Sequence, residues 1–170
     1  SYMNYKDWCT QLTYFNGNTY IVYVTGTSTT ARAKIAKITP TGATEEYLDL
    51  PDYNVKYDAH HQFSIGVDEQ GYIHVTGDMH NYPNANTSHM PDRFLDGTVM
   101  YWKSDNPEDI SSFTWLGDVE GKCPSGYGHS YCSFFNDHHG RLYFTGRNWS
   151  TMGFGAGKKD CASLSSYDAN

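Results

Sequence analysis

Apolar and β-branched residues come along this chain in short runs, each broken by Gly, Pro, Asn or Asp, the pattern of β-strands joined by tight turns. Residues 11–15 and 19–25 (TYIVYVT) flank Asn16-Gly17-Asn18, whose Asn-Gly step accepts the left-handed backbone that short hairpin turns need. Residues 33–39 (AKIAKIT) alternate small or apolar side chains with basic ones. Pro40-Thr41-Gly42 then turns the chain into 44–48, giving four antiparallel strands in about fifty residues. The stretch 58–81, DAHHQFSIGVDEQGYIHVTGDMHN, reads as a further hairpin with His60, His61 and His80 at its two ends. Residues 98–104 (TVMYWKS), the turn Asp105-Asn106-Pro107 and 113–116 (FTWL) form an outer hairpin. Residues 82–96, rich in Pro, Asn, His and Asp, form a long loop.

The pattern repeats. Gly71-Tyr72-Ile73-His74-Val75-Thr76-Gly77 overlays Gly140-Arg141-Leu142-Tyr143-Phe144-Thr145-Gly146 at an offset of 69 residues, and Asp68 falls on Asp137. The same offset lays residues 60–64 on 129–133, and Val24-Thr25-Gly26 joins the series at 51 residues before Gly77. Four-stranded units recurring at this spacing point to an all-β fold, a β-propeller of four-stranded antiparallel blades. The blades fall at about 8–52, 58–118 and the start of a third at 127–170, about two and a half in all. Because a propeller closes with about four to eight blades, the 170 residues are expected to be a fragment, or one chain of a nicked or multi-chain propeller.

Composition sharpens this picture. Sixteen Gly, 15 Tyr and few Leu or Ala runs argue against a helical protein. A net charge of −7 with no basic run excludes nucleic acid and an anionic membrane surface as partners. No apolar run approaches the about 18 residues that cross a bilayer, and no signal segment is legible at the N-terminus. Cys9, Cys123, Cys132 and Cys161 suit an oxidising compartment, but their spacing matches neither a CxxC pair nor a zinc finger, and three disulfide pairings remain open. Two sequons, Asn86-Thr87-Ser88 and Asn148-Trp149-Ser150, add to the expectation of a secreted, extracellular protein.

Most of the titratable groups have a structural explanation. Asp68 and Asp137 are read as turn residues bonding backbone amides, His74 as a mid-strand core histidine, and His138 and His139 as solvated turn residues. Asp58, His60, Asp78 and His80 could converge on a metal, but they share no short spacing on one element. An antiparallel pair instead brings His60 and His80 to one end of a blade, and Tyr131 and Arg147 occupy corresponding places in the next. Two imidazoles, a phenol and a guanidinium on one rim make an acid-base set with an anion clamp.

These residues carry a family resemblance. HHQFSIGVDEQGYIHVTGDMHNYP, YWKSDNPEDISSFTWLG and SYCSFFNDHHGRLYFTGR resemble the neuraminidase-type-repeat (BNR-like) propellers that include the seven-bladed ulvan lyases, over residues from about 8 to about 157. The resemblance implies a polysaccharide lyase that cleaves a uronic-acid-containing, ulvan-type polysaccharide by β-elimination. It assigns His60, His80, Tyr131 and Arg147 as catalytic, with Arg147 on the uronate carboxylate, and puts His61, Asn81 and His129 beside the substrate. No cofactor is required, since the arginine neutralises the carboxylate. Relatives hold a structural zinc after the arginine, but here that segment carries Met152, Phe154 and Gly155 with only Cys161 near, so neither zinc nor calcium is supported by the ligand pattern. The expected partners are an acidic polysaccharide or other glycan, and the remaining blades, from the rest of the protein or a second chain. The alternatives are a lectin-like propeller that binds sugar without turning it over, or a structural extracellular propeller.

Overall fold

The structure, a computed structural model, describes residues 9–26, 32–47, 63–77, 100–116, 129–148 and 161–167. Every regular element among them is a β-strand, and none is a helix long and apolar enough to cross a membrane. The first sheet has the order β1 (Leu12–Phe15), β2 (Asn18–Thr25), β3 (Arg32–Thr39), β4 (Gly42–Tyr47). The second runs β5 (Phe63–Val67), β6 (Ile73–Gly77), β7 (Tyr101–Ser104), β8 (Phe113–Trp115). The third contains β9 (His129–Asn136), β10 (Leu142–Asn148) and β11 (Cys161–Ser166), with β9 and β11 on either side of β10. All the pairings are antiparallel between strands consecutive in sequence, as expected for four-stranded blades.

Local chemistry explains the turns. Asn16 (φ 47°) and Gly17 (φ 83°) both take the left-handed conformation that a two-residue hairpin turn demands. At the β5–β6 turn Asp68 Oδ1 accepts from the amides of Gln70 (3.0 Å) and Tyr72 (2.9 Å), and Gly71 turns the chain at φ 89°. The β9–β10 turn repeats this: Asp137 Oδ1 accepts from His139 (2.9 Å) and Arg141 (3.0 Å), with Gly140 at φ 87°. The turn role read for both aspartates holds, and His138 and His139 are exposed as expected.

Burial identifies the stacking. β5 and β6 are buried at every position, whereas β2 alternates buried and half-buried residues, so the second sheet is covered on both faces and the first on one. Tyr20, Val22, Val24 and Ile35 of the first sheet join Phe63, Ile65, Val67, Ile73 and Val75 in one core, which continues through Met100 and Trp102. On the other side of the second sheet lie Cys132, Phe134, Leu142 and Phe144 of the third. Gly66 is part of that contact. A Cβ there would sit 2.7 Å from Phe134 Cβ and 2.8 Å from Leu142 Cδ1, so the third sheet packs onto bare backbone.

One sequence expectation is corrected. Val24 faces the second sheet, while its overlay partner Val75 faces back toward the first, so Val24-Thr25-Gly26 does not repeat Val75-Thr76-Gly77 in register. The two-residue turn after β1 and the longer turn after β5 give their hairpins opposite side-chain parity, and a shift of one residue exchanges the faces.

The turn ends of the sheets are stapled together by Glu108, itself left-handed at φ 56°. Its carboxylate accepts from Asn16 Nδ2 (2.9 Å), Asn18 Nδ2 (3.0 Å) and the Tyr20 hydroxyl (3.1 Å). Its amide donates to Gly71 O at 2.7 Å, and Lys37 Nζ donates to its carbonyl at 2.7 Å.

Candidate functional site

Strand direction separates two ends of the stack. The hairpin turns gather at one end, where a Cβ on Gly71 would lie 3.3 Å from Pro107 and one on Gly140 would lie 3.4 Å from Glu69. The opposite rim is where β5 and β9 begin and β6 and β10 end. β5 and β9 run side by side in the same sense. Ser64 Oγ donates to the Cys132 carbonyl near the rim, and Asn136 Nδ2 donates to Val67 O (2.8 Å) toward the turns.

At that rim the β9–β10 ladder breaks step. Thr145 pairs with Ser133, but Arg147 pairs with Ser130 and Asn148 with His129, so Tyr131 and Cys132 together oppose the single Gly146. This is a β-bulge, which bends a strand and re-aims a side chain. Tyr131 is the residue that absorbs it, half-buried with φ 55°. A bulky residue in the left-handed region costs roughly 1–3 kcal/mol, and such strain concentrates at functional sites. The overlay of 60–64 on 129–133 runs without a gap, so the sequence placed Tyr131 on the rim without revealing the bulge. The only signal was its setting beside Gly146, since glycine within a strand often marks a bulge.

The rim brings the backbones of His129, Ser130, Tyr131 and Arg147 together. The side chains of His129 and Arg147 lie outside the described residues, as do His60, His61, His80 and Asn81. His60 and His80 stand three residues before Phe63 and three after Gly77, the pair that ends the β5–β6 ladder.

Away from the rim, the second sheet buries a polar triad that the sequence reading treated as an ordinary core histidine. His74 is fully buried, with Nδ1 2.6 Å from the Tyr101 hydroxyl and Nε2 3.1 Å from Asp68 Oδ2. The Tyr167 ring meets it edge-on at 4.5 Å. Burial pushes the imidazole below its usual range; Asp68 opposes that shift and Lys103 adds to it. The corresponding place in the third sheet holds Tyr143, whose hydroxyl lies 3.3 Å from Asp137 Oδ2. The triad therefore braces a turn at the end opposite the rim.

Burial raises the Cys9 thiol to about 11 and that of Cys132 well above the usual thiol range. Cys123 and the side chain of Cys161 lie outside the described residues. Among the described residues no group of three or more His, Cys, Asp or Glu side chains could hold a metal ion.

Two four-stranded sheets and a third with three described strands, stacked face to face about their inner strands β1, β5 and β9, make this chain part of a β-propeller. The chain belongs to the BNR repeat-containing family, whose pattern matches residues 18–170. Among solved structures it resembles an ulvan lyase of polysaccharide lyase family PL25 bound to -[GlcA(1-4)Rha3S]-, with a TM-score of 0.58 and 18% identity over 87% of this chain and 33% of that one. It also resembles the polysaccharide lyase Uly1, with a TM-score of 0.65 and 14% identity over 94% of this chain and 39% of that one. The chain thus spans between a third and two fifths of the length of these lyases. No curated protein matches it in sequence. The fold is that of part of these two solved propellers.

Proposed function

We propose that the protein acts in polysaccharide β-elimination, on a uronic-acid-containing, ulvan-type polymer, through the rim that carries Tyr131 and Arg147. The observation that carries this reading is the left-handed Tyr131 in its bulge, flanking the strand pair Ser130 and Arg147 at the end of the stack from which His60 and His80 extend in sequence. In this reading Arg147 binds the uronate carboxylate. When the C5 proton leaves, charge builds on that carboxylate, and a bidentate guanidinium favours the enolate-like transition state over the ground state. His60 or His80, or Tyr131 once ionised, takes the proton. The C4–O bond breaks as the C4–C5 double bond forms, and a tyrosine hydroxyl returns a proton to the departing oxygen. His61, Asn81 and His129 contact the sugar, and further blades, from the same polypeptide or a second chain, complete the groove. The polymer is too large to enter a cell, so the reading carries an extracellular location with it.

Replacing Tyr131 with Phe tests this. A positioned acid-base group contributes about 10²- to 10⁴-fold, so release of the ultraviolet-absorbing unsaturated uronate should fall by that factor while polysaccharide binding persists. Binding by the unaltered protein with no unsaturated product would sink the lyase reading and leave a carbohydrate-binding module.

A further inference from the structure

Cys9 and Cys132 stand 123 positions apart in the sequence, yet their side chains meet over one polar pair of the second sheet. The Cys9 thiol is hydrogen-bonded to the Ser64 side chain and the Cys132 thiol to that of Thr76. Ser64 and Thr76 are direct partners in the β5–β6 ladder, and both are fully buried. Directly opposed residues of an antiparallel pair hold their Cβ atoms about 4.5–5.5 Å apart, so the two thiols share one small patch, on the scale of the about 4.4–6.8 Å between the Cα atoms of a disulfide. The backbone on both sides is held in place. Thr10, next to Cys9, donates its amide to Ser64 Oγ (3.1 Å) and its hydroxyl to the Phe134 carbonyl (2.8 Å), and Ser64 Oγ donates to the carbonyl of Cys132 itself. A thiolate at Cys9 adds to the rise that burial imposes on Cys132, so the two sulfurs lie within electrostatic range of each other. No step of the elimination proposed above uses either sulfur.

We infer that Cys9 and Cys132 are the two halves of a disulfide that ties the segment before β1 to β9. An oxidant that is itself a disulfide, such as glutathione disulfide, closes it in two exchanges. The thiolate of Cys9, the more exposed of the two, attacks the oxidant, displacing one glutathione thiolate and forming a mixed disulfide. The thiolate of Cys132 then attacks the Cys9 sulfur, and the second glutathione leaves as its bond to Cys9 breaks. Two protein thiols thereby lose two hydrogens, and one glutathione disulfide is reduced to two thiols. The thiolate of Cys9 is scarce at neutral pH, so closure is slow there and quickens as pH rises. Because the bridge closes a loop of more than a hundred residues, it restricts the unfolded chain strongly. Cys132 directly follows Tyr131 in the bulge, so the bridge also anchors the bulged strand. The inference rests on where the two sulfurs lie and is independent of the catalytic reading.

The test treats the intact chain, and a Cys123→Ser/Cys161→Ser double variant that retains only Cys9 and Cys132, with glutathione disulfide at about pH 9, where thiolate forms readily. After alkylation and digestion of the intact chain, tandem mass spectrometry should find Cys9 linked to Cys132. The double variant should lose both titratable thiols and the mass of two hydrogen atoms while remaining a single chain on a non-reducing gel. Its thermal midpoint should rise by about 10 °C on oxidation and return on reduction with dithiothreitol. Adding Cys9→Ser to the double variant should abolish the rise, and far-ultraviolet circular dichroism checks that the sheets form in each variant. Should a variant fail to fold, the map of the intact chain alone decides the pairing. Cys9 or Cys132 linked to Cys123 or Cys161 in the intact chain, both thiols still open to alkylation after oxidation, or a link that leaves the thermal midpoint unmoved would each overturn the proposal.

Discussion

Replacing His74 with Gln removes the buried titratable group of the second sheet while keeping a donor for Asp68 and an acceptor for Tyr101. In the folded chain the hydrogen bonds fit a neutral imidazole, with Nε2–H donating to Asp68 Oδ2 (3.1 Å) and Nδ1 accepting from the Tyr101 hydroxyl (2.6 Å). A second proton would place a charge on a fully buried ring, and burial is the largest reason that the folded-state pKa is lowered. The unfolded chain meets no such resistance and takes the proton near the ordinary value of about 6.5. Above that pH both states are neutral and His74 adds no pH dependence. Below it the unfolded state binds the extra proton, so stability falls as pH falls, by about 1.4 kcal/mol per unit until the lowered folded pKa is reached. Between about pH 7.5 and about pH 5.5 the unaltered chain should therefore lose stability through His74, by up to about 1.4 kcal/mol. Urea unfolding followed by fluorescence at several pH values measures this, and contributions from other residues cancel in the difference between the two proteins. The Gln variant should be less stable at neutral pH and lack this part of the acid slope. Equal slopes in the two proteins would refute the reasoning.

Two further substitutions probe the frame. Gly66→Ala drives a methyl group into Phe134 and Leu142 and should cost about 1–3 kcal/mol in the same unfolding measurement, whereas Gly42→Ala, where a Cβ meets nothing within 4 Å, serves as the control that should not. Asp68→Ala leaves His74 Nε2 without its acceptor in the interior and should cost about 1–3 kcal/mol. Asp137→Ala, at an exposed turn, should shift the thermal midpoint less, and the reverse order would show that the buried triad does not stabilise the turn.

Much of the frame was legible because it depends on local chemistry. Asn16-Gly17 announced its turn, the Asp-x-x-Gly turns announced theirs, and period-two runs located β1 to β10 to within a few residues. β11 was not legible. CASLSS has little β-branched or aromatic content and is a strand because β10 offers it an edge. The parity of the first hairpin was misread because Val-Thr-Gly recurs in both registers, and only contact with the neighbouring sheet distinguishes them. On the rim, the sequence supplied Tyr131 and Arg147, but the bulge that separates Tyr131 from Arg147 is set by a ladder partner and leaves no mark in an overlay. Nothing in the sequence singled out Glu108, whose three side-chain donors lie about 90 positions away.

Thr10 lies where the inner strands meet. Its amide donates to Ser64 Oγ (3.1 Å), its carbonyl accepts from Ile65 N (2.8 Å) and its hydroxyl donates to Phe134 O (2.8 Å). These contacts span 54 and 124 residues, although each sheet closes through neighbours in sequence. By loop-closure entropy the longer span costs only about 0.7 kcal/mol more than the shorter, so distance along the chain is a small barrier. The larger requirement is that β5 and β9 both exist before Thr10 can bridge them. In order of folding, local pairing can build the sheets early, and Thr10 is expected to dock only once β5 and β9 are in place.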